Sequence, residues 1–187
     1  MRIRNSSQDY GAVAIWLHWI VVVLVLAAWL SGQLGDALPR PYHETGLFAH
    51  ISLGLAILAL AVVRLGWRLA DPPPAPEPSR LGSRLGPWAG RAGEFVHLLI
   101  YGLLFAIPVL GIITQFARGY ALPVFGLFDI ASPWVGDRAF TGTMKEVHET
   151  LANLLMLVIA LHAAAALLHH YVLHDRTLLR MLPGARP

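Results

Sequence analysis

The sequence predicts an all-α integral membrane protein: a four-helix bundle with both termini on the cytoplasmic side. Three observations predict it. The 187 residues are 56% hydrophobic and only 13% charged, with a mean hydropathy of +0.59, too apolar for a water-soluble domain of this length. Four stretches, roughly 13–31, 47–67, 95–117 and 147–172, are each long enough to cross a bilayer, which takes about 20 mostly apolar residues. Lys and Arg are unevenly shared between the segments that join these stretches.

The first stretch follows Arg2 and Arg4, as a secretory signal would. Its apolar core is too long for one, and no small-x-small cleavage site follows Trp29 and Leu30, so it reads as a retained helix. The second stretch ends with Arg64 and Arg68 and runs into DPPPAPEP, residues 71–78. Proline cannot continue a helix, and this run is expected to be extended and exposed. The third stretch contains Pro108, which marks a kink. The connection after it is long and holds Gly, Pro and aromatic residues from 119 to 134, expected to cap the periplasmic end of the bundle. The fourth stretch leads to a tail with Arg176, Arg180 and Arg186.

Cytoplasmic segments carry the excess of Lys and Arg. Arg2, Arg4, Arg64, Arg68, Arg80, Arg84, Arg91, Arg176, Arg180 and Arg186 fall on one side, against Arg40, Arg118, Arg138 and Lys145 on the other. Four crossings then place both termini in the cytoplasm. Trp16, Trp19, Trp29, Trp67 and Trp88 fall near the predicted interfaces, where amphipathic rings collect. No internal repeat stands out, and residues 1–187 read as one transmembrane domain.

The chain has no cysteine. That excludes Cys-ligated iron–sulfur clusters, disulfides and covalent haem attachment through CxxCH. The pI near 9.7 reflects arginine at membrane edges. Lipid is the expected surrounding, and there is no soluble basic surface for nucleic acid.

Nine histidines are present, and depth sorts them. His18 lies just inside the cytoplasmic face and His50 near the periplasmic face. His97 lies on the cytoplasmic side, His148 near the periplasm and His162 towards the cytoplasm. His148 and His162 are fourteen residues apart, a rise of about 21 Å and a turn within about 40° of four full turns. Their rings therefore face nearly the same way at two depths. Two depth-matched pairs follow, His50 with His148 and His18 with His162, each on two different helices. Such pairs suit bis-imidazole ligation of two b-type haems held between helices.

Gly54 shares the face of His50 one turn on, where a missing side chain leaves room for a porphyrin or for close helix packing. Arg64 lies at the inner depth. An intramembrane arginine calls for an anionic partner, which a haem propionate supplies; snorkelling to the headgroups is the other reading, and for Arg68 the better one. A single membrane histidine is more often hydrogen-bonded to a neighbouring carbonyl than a ligand; two matched pairs reverse that weighting. His97 remains open, either as a ligand in place of His18 or as a hydrogen-bonding or quinone-site residue. His169, His170 and His174 read as interfacial.

The segments AIWLHWI (14–20), HISLGLAILALAVVRLGWRLADPPP (50–74), VHLLIYGLLFAIPVLGI (96–112) and VHETLANLLMLVIALHAAAALLHHYV (147–172), with the tail RMLPG (180–184), resemble bacterial cytochromes b561 over nearly the whole chain. The resemblance implies a multi-pass protein of the bacterial inner membrane with two non-covalent haem b groups. It carries the axial ligands onto His18, His50, His148 and His162. It implies electron transfer with quinone, ubiquinone being the expected acceptor. Similar proteins include superoxide oxidases, which pass electrons from periplasmic superoxide to ubiquinone, and quinone-reactive anchor subunits of hydrogenases and formate dehydrogenases, which serve a redox protein partner. For superoxide, Lys145, Arg138 and Arg118 are candidates for a cationic mouth that steers the anion, with a solvated loop charge the alternative for each. His97 and Glu149 are candidates for handling the quinone proton. A transporter or metal-binding membrane module is the reading from another class. It should show discontinuous helices or repeats, and the sequence displays neither.

Overall fold

The computed structural model describes residues 2–37, 39–77 and 87–184. Arg80, Arg84, Arg186 and Pro78 lie outside the described residues. Four long helices carry the chain: α1 (Ala12–Leu34), α2 (His43–Ala70), α3 (Pro87–Ala117) and α4 (Arg138–Tyr171). Each contains a window of mean hydropathy between 2.3 and 2.5, apolar enough to cross a bilayer. Their exposed faces match that solvent. On α1, Trp16, Ile20, Val23, Leu26, Leu30 and Leu34 are exposed at helical spacing. On α4, Val147, Leu154, Leu161 and Leu168 recur every seven residues and are exposed, while Leu155 and Val158 are buried. A continuous apolar stripe of this kind is costly in water and costs nothing in lipid. The chain is thus built as a four-helix membrane bundle.

The apolar runs located the helices, but the helices outlast them. α3 begins at Pro87 rather than near 95, and α4 at Arg138 rather than near 147. Asp137 explains the second difference: its Oδ1 accepts from the N–H groups of Ala139 and Phe140 at 2.9 and 3.0 Å. That satisfies helix-end donors outside the apolar run.

The chain divides into two compact units. One comprises Met1–Ile20, Val62–Gly102 and Leu155–Pro187; the other comprises Val21–Ala61 and Leu103–Leu154. Every long helix contributes to both.

In the first unit the N-terminal strap is tied to the segment after α2. Asn5 Nδ2 donates to the carbonyls of Asp71 and Pro72, and Asn5 N–H donates to Asp71 Oδ2 at 2.9 Å. Gly11 lets the strap cross close to itself, since a Cβ there would run into the backbone of Ile3 and Arg4. The proline-rich run is extended, as expected, but not wholly exposed: Pro74 is buried. Arg180, itself buried, donates to the Ala75 carbonyl and to Glu77 Oε2. The tail is further anchored where Trp19 Nε1 donates to the Met181 carbonyl at 2.7 Å.

In the second unit the connection after α3 folds into an antiparallel hairpin of β1 (Leu122–Val124) and β2 (Phe128–Ile130), which the sequence reading did not anticipate. Its turn holds Phe125 and Gly126 at φ +52° and +72°, the left-handed conformation typical of tight hairpin turns. Gly126 lies against the Phe48 ring near the start of α2, 3.5 Å from where a Cβ would stand.

Candidate haem-binding sites

The second unit brings His50 and His148 together. Their ring centroids are 6.0 Å apart, with the planes at 72°. Two imidazoles bound through Nε2 to one iron, at about 2 Å each, set their centroids about 6 Å apart. The opposite nitrogen of each ring is held by the main chain. His50 Nδ1 lies 3.0 Å from the Ala28 carbonyl and 3.0 Å from Ser31 Oγ, and His148 Nδ1 lies 2.9 Å from the Ile107 carbonyl. A carbonyl only accepts, so Nδ1 must carry a proton in both rings. The neutral rings then present the Nε2 lone pair, as metal-ligating histidines do.

Two glycines make these contacts possible, and sequence reasoning missed both. A Cβ on Gly32 would meet His50 Cε1 at 3.2 Å, and a Cβ on Gly111 would meet His148 Cε1 at 3.3 Å. Gly32 is four residues after Ala28, and Gly111 is four after Ile107. A helical side chain leans over the turn before it, so a residue four on covers the carbonyl. Glycine uncovers it. The only possible signal in the sequence is the pairing of a glycine on one helix with a histidine on another, which requires knowing the neighbours. Gly54, the glycine singled out from sequence, has no atom within 4 Å of a notional Cβ among the described residues. It lies beside open space, which suits clearance for a ring.

The first unit gathers His18, Arg64, His97 and His162. Arg64 Nη2 lies 3.1 Å from His18 Nδ1, and the Arg64 guanidinium sits over the Tyr101 ring at 5.5 Å. The rings of His97 and His162 touch edge to face at 5.2 Å, about an ångström closer than an iron between them would require. His18 lies within electrostatic range of both.

Of the sequence candidates for substrate handling, His97 lies within the first-unit cluster and Glu149 is within electrostatic range of His148, while the cationic candidates sit outside both clusters. Lys145 and Glu149 pair with each other at 3.5 Å one turn apart, both about half exposed, a pair worth little in energy. Arg138 opens α4 and is exposed. Of the interfacial histidines, His169 is held by Asp175 through Nδ1 and Oδ2. Among the described residues, no group of three or more His, Cys, Asp or Glu converges as a bare metal-ion centre would need; bis-imidazole haem ligation needs only two.

Residues 9–184 match the family model described as prokaryotic cytochrome b561. The chain belongs to the prokaryotic cytochrome b561 family. It is 39% identical over 183 residues to a probable superoxide oxidase, CybB, of Yersinia pestis, covering 96% of this chain and 98% of that one. It is 32% identical over 185 residues to cytochrome b561 homolog 2 of Escherichia coli, covering 97% and 95%. It is 32% identical over 186 residues to cytochrome b562 of Cereibacter sphaeroides, covering 95% and 98%. Membership makes this cytochrome a haem b-binding, electron-transferring oxidoreductase of the bacterial inner membrane. The residues fit the group: paired imidazoles at the right spacing, tautomers set by carbonyls, and open space beside Gly54.

Proposed function

We propose that this cytochrome holds two haem b groups and moves electrons from periplasmic superoxide to ubiquinone. His50 and His148 would hold the outer haem through their imidazoles, and His18 and His162 the inner one. The His50–His148 arrangement carries the reading, because its spacing and its carbonyl-fixed tautomers are what iron ligation demands. For the inner site, the short His97–His162 contact favours His97 as a neighbour, with His18 as the residue that would share the haem with His162.

When bound, haem b supplies a one-electron couple at each site. The chain supplies the imidazoles, an apolar sheath and the charges that tune each iron. The two units act as one transmembrane domain, with both termini cytoplasmic as the arginine distribution supports. Arg64 answers to a propionate of the inner haem, and Gly54 clears space for the outer ring. Lys145, Arg138 and Arg118 give the periplasmic end positive charge that attracts superoxide, with Glu149 tempering Lys145. His97 stands beside the inner site, where a quinone proton can be handled. Two superoxide anions each lose one electron to give two O2. Ubiquinone takes up those two electrons and two protons to become ubiquinol.

The relative named as a probable superoxide oxidase supports superoxide as the donor, since it aligns over nearly the whole of both chains. The test is superoxide-driven ubiquinol formation by the purified haem-loaded protein, with superoxide dismutase as the control. Dismutase-sensitive quinol formation is expected. Its absence, together with co-purification of a large redox enzyme, would instead indicate an anchor subunit.

A further inference from the structure

The first unit contains a small, open cleft of about 40 Å³ that the imidazoles do not fill. Arg64, Trp67 and Arg68 of α2 line it together with Tyr101 of α3, Tyr10 and Asp71. Its polar groups are mostly donors. Trp67 Nε1 is buried with no hydrogen-bond partner among the described residues, a costly arrangement unless an acceptor meets it. Two guanidinium groups share the same wall. The carboxylate present, Asp71, already accepts from Asn5 N–H through Oδ2. The cleft is therefore short of anionic oxygen.

The chemistry at His18 says where one such oxygen is needed. A guanidinium only donates, so the Arg64 bond to His18 Nδ1 requires a lone pair on Nδ1 and the ring proton on Nε2. Ligation of iron through Nε2 requires the reverse tautomer. The two bonds exclude each other. When His18 takes iron, Arg64 loses its acceptor and must find another, and the cleft it lines is within its reach.

We propose that the cleft of Arg64, Trp67, Arg68 and Tyr101 receives the propionate carboxylates of the inner haem, Arg64 exchanging His18 for a carboxylate as the haem seats. This rests on His18 and His162 being the inner ligands. Arg68, read from the sequence as a snorkelling side chain, becomes the second cation of the cradle, and Trp67 N–H a neutral donor beside it.

The experiment uses the haem-loaded protein carrying Trp67→Phe, which keeps the ring and loses the N–H, or Arg68→Gln, with Arg68→Lys as the charge-preserving rescue. Redox titration should show the inner haem shifted to lower potential, because less positive charge (Arg68→Gln) or one fewer N–H donor (Trp67→Phe) offsets its carboxylates. Haem transfer to apomyoglobin should be about tenfold faster for the inner group. The outer haem should be unmoved, and Arg68→Lys should recover most of the difference. If Trp67→Phe and Arg68→Gln both leave the inner potential and the transfer rate at wild-type values, the proposal falls. A raised KM for ubiquinone with an unmoved inner potential also overturns it and gives the cleft to the quinone head. His162→Ala separates this from the underlying reading: it should lose one haem, and retention of both would overturn the ligand assignment itself.

Discussion

At Gly32 and Gly111 the missing side chain is the functional group. Each uncovers a carbonyl that fixes an imidazole, and each would press on that imidazole if it gained a Cβ. A ring that retreated would lose either the carbonyl or the iron bond proposed for it. Gly111→Ala is expected to weaken haem binding at the His50/His148 site about fivefold, the worth of roughly one hydrogen bond near 1 kcal/mol. Gly111→Val or Gly32→Val is expected to leave about one haem per chain by pyridine haemochrome assay. Full occupancy in both valine variants would show that the carbonyl contacts are incidental. Asp175 offers a second test, outside the membrane. Burial raises its pKa, but hydrogen bonds from Thr177 and from His169 outweigh this and bring it below the ordinary 3.8. A depressed carboxylate stabilises the fold above its unfolded pKa, and that contribution is lost as pH falls through the folded one. The tail should therefore resist proteolysis at neutral pH and loosen below about pH 4, whereas Asp175→Asn should be loosened already at neutral pH. Equal protection of both at neutral pH would deny Asp175 this role.

Among the elements, α4 carries the most constraint. It runs unbroken from Arg138 to Tyr171 and supplies an imidazole to each unit. One residue inserted between Leu155 and Leu161 would turn His162 by about 100° relative to His148. Such an insertion should abolish one haem and spare the other, as read by the reduced α-band and the haem count. Retention of both would show that helix register does not set the sites. The same helix shows what was legible in the sequence. An 18-residue apolar window is a local property, so the spans could be located without neighbours. The fourteen-residue spacing of His148 and His162 is also local, and it marked both rings in advance. The start of α4 depends on the Asp137 cap, outside the apolar run, and was placed too late. The hairpin of β1 and β2 was missed because three-residue strands carry little periodicity. The glycine roles at 32 and 111 depend on histidines of other helices, so nothing within their own helices announced them.

Across the whole molecule, lipid-facing stripes, an uneven arginine distribution and two imidazole clusters all suit a chain that spans the membrane and conducts electrons through it. The proposed topology, with both termini cytoplasmic, predicts that a reporter fused after residue 184 is active only if it folds in the cytoplasm. Alkaline phosphatase activity from that fusion would reverse the topology, and with it the assignment of Lys145, Arg138 and Arg118 to the superoxide-facing end. Two bis-histidine haem b groups in one chain fix the haem-to-protein ratio of the purified protein, and that ratio is the decisive measurement. Two haem b per chain by pyridine haemochrome, with b-type bands on dithionite reduction, is the expected result. One haem per chain, or a colourless protein from haem-replete cells, would contradict it.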